Sequence, residues 1–165
     1  MFLSPRWTKA KYDDFYINEY EKYYPRSGNF NDNNNRVPQL IADRLNAFGY
    51  CNNGGKLLDI GSGFGDVLLY LKKDHYPLAS YYAIEPSKIC VDFLRQNNIT
   101  IVSETVDSNW HKDNKYELII MRHVLEHFLD PKATLQKFAE SLEENGIAYI
   151  SFPDSYHAIS PLNDY

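Results

Sequence analysis

The segment LLDIGSGFGD, residues 57–66, places three glycines between a short apolar strand and the beginning of a helix. Gly61, Gly63 and Gly65 can adopt positive φ values and let a ligand approach the backbone closely. The helix that follows points its free N–H groups toward such a ligand. Asp59 lies at the carboxyl end of the strand, which is the edge where open α/β sheets bind their ligands. This segment therefore predicts a ligand-binding turn.

Strand and helix patterns alternate on the carboxyl side of this turn. Apolar strand patterns cover residues 56–60, 81–85, 99–102, 116–121 and 147–152. Helix patterns cover residues 67–73, 87–98 and 131–146, the last with Asp130 as N-cap and Pro131 at its first position. This alternation predicts one α/β domain with a Rossmann-like, doubly wound and mostly parallel sheet.

The amino-terminal part of the chain has a different pattern. Residues 8–24 predict a helix in which tyrosines recur every four residues, at Tyr12, Tyr16, Tyr20 and Tyr24. Such a stripe can pack on the body of the domain, or it can form a lid over a substrate pocket. A second helix is predicted from Pro38 to Phe48. We therefore expect residues 1–50 to form an amino-terminal helical cap and residues 51–165 to form the binding core.

Glu85 ends the second predicted strand, 20 residues after Gly65. A carboxylate there can accept hydrogen bonds from both ribose hydroxyls of an adenine nucleoside, although it can also be a solvated strand end or an N-cap partner.

The dinucleotide fingerprint has the spacing G-x-G-x-x-G, whereas this turn reads G-x-G-x-G and continues with Asp66. Carboxylates at Asp59 and Asp66 disfavour a pyrophosphate, so an NAD-dependent dehydrogenase is the weaker alternative. They suit a ligand that carries an ammonium and a sulfonium.

The segment RHVLEHF, residues 122–128, is compatible with a metal site, with catalytic bases or with ordinary structure. On a helix, His123 and His127 would share one face, and the letters match the H-x-x-E-H signature of a zinc protease family. A zinc site needs a third ligand, and His75, His111 and His157 lie in unrelated segments. A zinc hydrolase is therefore a minor alternative, and we expect no metal.

Composition narrows the functional classes further. The formal charge of −5 does not suggest a nucleic-acid-binding protein, and no apolar run reaches membrane-spanning length. Cys51 and Cys90 are too few and too far apart for a disulfide framework or a cysteine-based zinc site. The first 14 residues lack the apolar core of a signal peptide. We therefore expect a cytoplasmic protein.

Four segments in the order LLDIGSGFGD, YAIEPS, YELIIMRHVLEHFLDP and ENGIAYISFPD resemble the class I S-adenosylmethionine-dependent methyltransferases. The resemblance covers about residues 56–153 and is closest to small-molecule and sugar methyltransferases that carry the HVLEH segment. The start of the chain, SPRWTKAKYDDFYINEYEKYY at residues 4–24, is more loosely similar to the amino-terminal caps of polysaccharide-locus methyltransferases. The resemblance implies S-adenosylmethionine as cofactor, S-adenosylhomocysteine as product, and a small-molecule or sugar-derived acceptor.

The resemblance also implies roles for individual residues. The cofactor loop around the methionine moiety corresponds to Asp59, Gly61, Ser62, Gly63 and Gly65. The ribose-binding acid corresponds to Glu85, and the residues beside the adenine correspond to Pro86, Glu104 and Thr105. The end of the fourth strand, beside the sulfonium, corresponds to Met121, Arg122 and His123.

For a hydroxyl acceptor, His123 is the first candidate for a general base and His127 the second, unless they only shape the pocket. Substrate contacts are expected from Tyr16, Tyr20, Tyr24 and Arg26.

The family sheet usually continues with two more strands, which this sequence does not show. We therefore expect a homo-oligomer or a partner chain to cover the edge of the sheet. The same feature keeps open a second function, in which the chain is a non-catalytic cofactor-binding subunit or a truncated methyltransferase domain that needs a partner.

Overall fold

The structure is a computed structural model that describes residues 7–23, 36–50, 54–77, 79–105, 110 and 114–153. Its centre is a sheet of five strands. These are β1 (Lys56–Ile60), β2 (Ser80–Ile84), β3 (Thr100–Ser103), β4 (Tyr116–Arg122) and β5 (Leu142–Ser151). Their order is β3-β2-β1-β4-β5 and every neighbouring pair is parallel. The predicted Rossmann-like parallel sheet is therefore confirmed.

Eight helical segments accompany the described sheet, one of which is a single 3-10 turn at Leu125–His127. The first three follow one another as α1 (Lys9–Asp14), a π-helical segment (Phe15–Glu19) and α2 (Tyr20–Tyr23), and we call this run the cap helix. The others are α3 (Arg36–Ala47), α4 (Asp66–Asp74), α5 (Lys88–Gln96) and α6 (Pro131–Ser141). Across the described residues, each helix is too short or too polar to cross a lipid bilayer.

The strands are apolar on both faces because both faces of the sheet are covered, which is typical of parallel sheets. Leu57 and Leu118 point into one core cluster, together with residues of α3, α4 and α5. Leu58 and Ile119 point into a second cluster, where Phe138 of α6 packs. The side-chain period of two along each strand therefore divides the core between the two faces.

Helix α3 packs into the body of the molecule. It begins two residues before the predicted start at Pro38 and ends one residue before the predicted end at Phe48. Ile41 and Leu45 are each 1% exposed and belong to the same core cluster as the first strand. The apolar face of this helix therefore fixes it against the sheet.

The last helix is shorter than predicted. Asp130 does accept a hydrogen bond from the Ala133 N–H as N-cap, but α6 ends at Ser141 and not at Gly146. Leu142 pairs with Tyr116 of β4, and the pairing then shifts register so that the next partners are Leu118 and Ile147. The prediction was wrong here because strand pairing beside β4, a long-range contact, competes successfully with continuation of the helix.

Candidate functional site

The glycine turn joins β1 to α4 at the carboxyl edge of the sheet. Gly61, Gly63 and Gly65 have φ values of +70°, +57° and +70°. A Cβ at Gly61 would lie 2.4 Å from Cγ2 of Val124, and a Cβ at Gly65 would lie 2.6 Å from Cδ2 of Leu94. These two glycines are therefore required both by the backbone conformation and by side chains that pack against the turn.

A hydrogen bond holds the Glu85 side chain against this turn. Its Oε2 accepts from the Gly63 N–H at 2.7 Å, and its Oε1 accepts from the Ser87 N–H at 3.0 Å. The side chain is buried, so it is not a solvated strand end. Ser87 is the N-cap of α5, and Glu85 therefore also supports the start of that helix. Two backbone N–H groups fix the position of this carboxylate at the tip of β2.

A cavity of about 290 Å³ opens over the carboxyl ends of the strands. Its volume is near the lower end of the range typical of small-ligand pockets. Its lining contains five residues predicted for cofactor binding, namely Gly61, Glu85, Pro86, Glu104 and Thr105. It also contains four residues predicted for catalysis or substrate binding, namely Tyr16, Tyr20, His123 and His127. The fold thus brings nine separately predicted residues to one cavity.

Other predicted residues have different positions. The remaining members of the cofactor set do not line the cavity, namely Asp59, Ser62, Gly63, Gly65, Met121 and Arg122. Tyr24 and Arg26 lie outside the described residues. Sequence reasoning missed Tyr12, Ser87 and Phe128, which also line the cavity. A signal existed for Tyr12, which belongs to the same four-residue repeat as Tyr16, and for Ser87, which directly follows Pro86.

The segment after β4 is not an α-helix. Strand β4 extends through Arg122, His123 has a φ of +52°, and a single 3-10 turn covers Leu125–His127. His123 and His127 therefore do not share a helical face, although both line the cavity. The His123 N–H still donates to Ser151 O of β5 at 2.9 Å, as the ladder bond of the Arg122–Ser151 pair, and the strand ends because the positive φ of His123 turns the backbone away from the extended conformation. A positive φ at a non-glycine residue is uncommon, and such strain is concentrated at functional sites.

The described part of the chain contains no group of three histidine, cysteine, aspartate or glutamate side chains that could hold a metal ion. His123 and His127 therefore have no third ligand among these residues. The H-x-x-E-H reading requires such a ligand, so the described residues offer the zinc hydrolase alternative no support.

The cap helix contributes a row of neighbouring tyrosine rings. The ring centroids of Tyr12 and Tyr16 are 4.7 Å apart, and those of Tyr16 and Tyr20 are 5.2 Å apart. The Tyr16 ring also lies 5.9 Å from the imidazole of His127. Burial, followed by its interaction with Tyr16, raises the pKa of Tyr12 well above its usual range, so its hydroxyl stays protonated. The tyrosine stripe therefore faces the cavity and meets the loop after β4.

Behind the glycine turn lies a buried carboxyl group. Asp59 is 3% exposed, and burial raises its pKa to about 8, against the opposing effect of Arg122. The charges of Asp66 and Glu85 raise it further. Arg122 Nη2 lies 3.5 Å from Asp66 Oδ2, across the turn. The carboxyl group of Asp59 is therefore largely protonated at pH 7, contrary to the expectation that it supplies a negative charge.

A family model described as a methyltransferase domain matches residues 34–165. No curated protein sequence matches the chain. Among solved structures, the plantazolicin methyltransferase BpumL, in complex with a pentazolic desmethylplantazolicin analogue and S-adenosylhomocysteine, is 20% identical, with a TM-score of 0.65. That match covers 94% of this chain and 63% of BpumL.

Two further structures have the same fold. An S-adenosylmethionine-dependent methyltransferase from Geobacter sulfurreducens, in complex with S-adenosylhomocysteine, is 21% identical with a TM-score of 0.55, over 68% of this chain and 47% of that one. A Haloferax volcanii complex that contains the Trm112 methyltransferase activator is 16% identical with a TM-score of 0.58, over 85% and 59% of the chains. The chain spans less than two thirds of the length of these structures.

Proposed function

This chain belongs to the methyltransferase domain family, with the fold of the S-adenosylmethionine-dependent methyltransferases, and we propose that it transfers a methyl group from S-adenosylmethionine to a small-molecule or sugar-derived acceptor. The observation that carries the proposal is the position of Glu85. Its carboxylate is held on the glycine turn by the Gly63 N–H and lines the cavity at the edge of the sheet. A carboxylate in this position suits the two ribose hydroxyls of an adenine nucleoside.

The proposed orientation of the cofactor follows the order of the strands. Pro86, Glu104 and Thr105 line the cavity near β2 and β3, where the adenine would lie. The methionine end would then extend over the ends of β1 and β4, where Gly61 and His123 line the cavity. Beyond His123 the tyrosines of the cap helix form the wall that remains for the acceptor.

The bound cofactor would supply a methyl group already activated by positively charged sulfur, so the protein has mainly to align the acceptor and exclude water. Tyr12, Tyr16 and Tyr20 line the cavity, and we propose that their rings provide this exclusion. We propose that His123 acts as the general base that accepts the proton of a hydroxyl acceptor. His127 is the second candidate, because both residues line the cavity.

The proposal extends to the cap and to partners of the chain. Residues 1–50 are proposed as a cap over the core at residues 51–165, with substrate contacts from Tyr16 and Tyr20. In the described sheet β5 pairs only with β4, and its Ile147 and Ile150 are partly exposed. We therefore propose that a further strand-bearing segment, from a partner chain or a second copy, covers this edge.

A non-catalytic cofactor-binding subunit is the second candidate. It is favoured by the uncovered edge of β5 in the described sheet and by the similarity to a structure that contains a methyltransferase activator. The two candidates differ in turnover. The subunit would bind S-adenosylmethionine but form no S-adenosylhomocysteine with any acceptor until a partner is supplied.

Titration calorimetry tests the cofactor assignment. We expect S-adenosylhomocysteine to bind and NAD not to bind, because the glycine spacing and Asp66 disfavour a pyrophosphate. Glu85→Ala should weaken binding of S-adenosylhomocysteine by about 10- to 100-fold, since it removes charge-assisted hydrogen bonds. Asp43→Ala is the matched control, because Asp43 is an exposed carboxylate on α3. Binding of NAD without binding of S-adenosylhomocysteine would refute the proposal.

A further inference from the structure

The tyrosine rings of the cap helix lie against one another. One turn after Tyr16, the ring of Tyr20 is stacked on it, with the centroids 5.2 Å apart and an interplanar angle of 24°. One turn before Tyr16, the ring of Tyr12 is 4.7 Å away and tilted by 45°. These contacts direct the ring faces along the helix. The rings therefore present their edges to the cavity that all three residues line.

The edge of an aromatic ring has a definite electrostatic preference. Its hydrogens carry partial positive charge, whereas the ring face is negative, so an edge is attracted to the face of another aromatic ring. The cap helix already contains this geometry, because the Phe15 and Tyr16 rings meet at 5.3 Å and 88°. A cation prefers ring faces, which this wall directs at each other. The wall is therefore complementary to a flat, electron-rich ring.

The four carboxylates among the described lining residues already have partners. Asp13 forms an ion pair with Lys9, and Asp130 accepts a backbone N–H of α6 as its N-cap. Glu85 accepts two backbone N–H groups, and Glu104 lies 3.8 Å from an arginine of α5. A positively charged acceptor would have to compete with these partners for every carboxylate. The charges of the lining therefore favour a neutral acceptor.

Several polar groups of the lining are also hydrogen-bonded within the protein. The hydroxyls of Tyr12 and Tyr16 bond to each other, and the Thr134 hydroxyl donates to a backbone carbonyl at 2.9 Å. Four lining residues in the loop after β4 and at the start of α6 are apolar, namely Val124, Phe128, Leu129 and Ala133. A sugar would give up hydrogen bonds to water here without replacing them all, which is costly. An acceptor with few hydroxyls fits this lining better.

The proposed base adds a chemical reason for the same choice. A histidine accepts a proton most readily from a group whose pKa is not far above neutrality. The pKa of a phenol is about 10, whereas that of water, which an alkyl hydroxyl resembles, is about 16. A phenol is therefore the hydroxyl acceptor that His123, which lines the cavity, is best able to deprotonate.

We propose that the acceptor is a neutral aromatic alcohol, whose ring lies with its face against the edges of Tyr16 and Tyr20. Its oxygen forms a bond to the methyl carbon while the methyl–sulfur bond breaks. The electron pair of that bond returns to sulfur, and the hydroxyl proton passes to the imidazole of His123. This inference rests on the proposed function and narrows its acceptor to one class.

The test compares two probes with the same carbon skeleton, in the presence of saturating S-adenosylhomocysteine. The first is 2-naphthol, which is flat and aromatic, and the second is its saturated analogue decahydro-2-naphthol. Titration calorimetry should show 2-naphthol binding about 5- to 30-fold more tightly, because only its ring has a face for the tyrosine edges. A merely apolar pocket would bind the two about equally. Methyl glucoside, the sugar probe, should bind more weakly than 2-naphthol.

Two variants of Tyr16 separate the ring from the hydroxyl. Tyr16→Leu keeps an apolar side chain but removes the ring edge, so the preference for 2-naphthol should fall about 3- to 10-fold, with the affinity for the saturated probe within about threefold. Tyr16→Phe keeps the edge and should keep the preference. Tyr23→Leu is the matched control, because Tyr23 is 67% exposed and does not line the cavity. Urea unfolding verifies folding, and Tyr20→Leu replaces Tyr16→Leu if that variant does not fold.

Four results would overturn the inference while leaving the proposed function in place. They are binding of S-adenosylhomocysteine without binding of either ring probe, equal affinities for the two ring probes, tighter binding of methyl glucoside than of 2-naphthol, and a preference for 2-naphthol that survives the leucine substitution. Failure of the wild type to bind S-adenosylhomocysteine would instead refute the proposed function, and this inference with it.

Discussion

Gly61 is the residue at which the turn after β1 and the loop after β4 meet. Its φ of +70° lies in the left-handed region, and the space that a Cβ would occupy is filled by Cγ2 of Val124. Val124 directly follows His123, which also has a positive φ. The close approach of Val124 to Gly61 therefore fixes the loop that holds both histidines against the cofactor turn.

Gly61→Ala should destabilise the protein by about 2–4 kcal/mol, from the strained φ and from the clash with Val124. Gly49→Ala is the matched control, because Gly49 has a φ of +75° and a Cβ added there would have no neighbour within 4 Å. We expect it to cost only about 1–2 kcal/mol, from the backbone alone. Urea unfolding gives both values, and adding Val124→Ala to Gly61→Ala should recover part of the difference. Equal costs at the two glycines would contradict the packing argument.

At the scale of elements, the cap helix owes its straight stripe of tyrosines to its π-helical segment. In an α-helix residues four apart overshoot one turn by about 40°, so a four-residue repeat drifts around the axis. The Tyr20 N–H donates to Phe15 O, five residues earlier, and this wider turn compensates for the drift. Tyr12, Tyr16 and Tyr20 therefore remain on the face that lines the cavity.

The cap helix should slow the release of the cofactor product. We expect Tyr16→Ala to accelerate dissociation of S-adenosylhomocysteine by about 3- to 10-fold, because it removes a ring that covers the cavity and contacts His127. Stopped-flow displacement measures this rate. Tyr23→Ala is the control, because the Tyr23 side chain is 67% exposed.

The His127 ring signals in NMR spectra should also shift in Tyr16→Ala and not in Tyr23→Ala. Unchanged dissociation rates together with unchanged His127 signals would show that the cap does not close over this cavity in solution.

At the scale of the whole molecule, the burial of Asp59 makes global stability depend on pH. Burial raises the pKa of Asp59 to about 8, against the effect of Arg122, whereas the pKa in the unfolded chain is about 3.9. Between these values the native state holds a proton that the unfolded state has released. The associated stability is fully present below about pH 4 and is lost as pH rises through about 8, by up to about 1.4 kcal/mol per pH unit.

Asp59→Asn tests this dependence, because the amide has nearly the same shape and does not ionise. We expect the variant and the wild type to have similar unfolding free energies near pH 4, and the variant to be increasingly the more stable of the two as pH rises to 8. Asp43→Asn, at an exposed site of α3, should follow the wild type at both values. A wild-type slope that persists in Asp59→Asn would assign the pH dependence to other groups.

Much of the fold was predictable because its signals are local. The boundaries of β1 were predicted to the residue, and the positive φ values of the three glycines and the capping of α6 by Asp130 also agree with the structure. Alternation of apolar strands and helices is sufficient to indicate a parallel sheet. The candidate site was partly predictable for the same reason, since parallel strands place their carboxyl ends at one edge.

Other features depend on contacts between distant parts of the chain. The end of α6 is set by the pairing of Leu142 with Tyr116, and the position of the loop after β4 by the packing of Val124 against Gly61. The π-helical segment could not be predicted from local residue preferences. It determines which tyrosines face the cavity.

The sequence by itself determined the order of strands and helices, the glycine turn and the acid at the tip of β2, because periodicity and glycine content act locally. Only the tertiary structure decided that His123 and His127 reach the cavity from a strained loop and not from one helical face. It also decided that Asp59 is largely protonated at pH 7 and that Ser62 and Arg122 are left with unpartnered buried atoms. These properties depend on burial and on distances between elements, which arise only when the strands are assembled side by side.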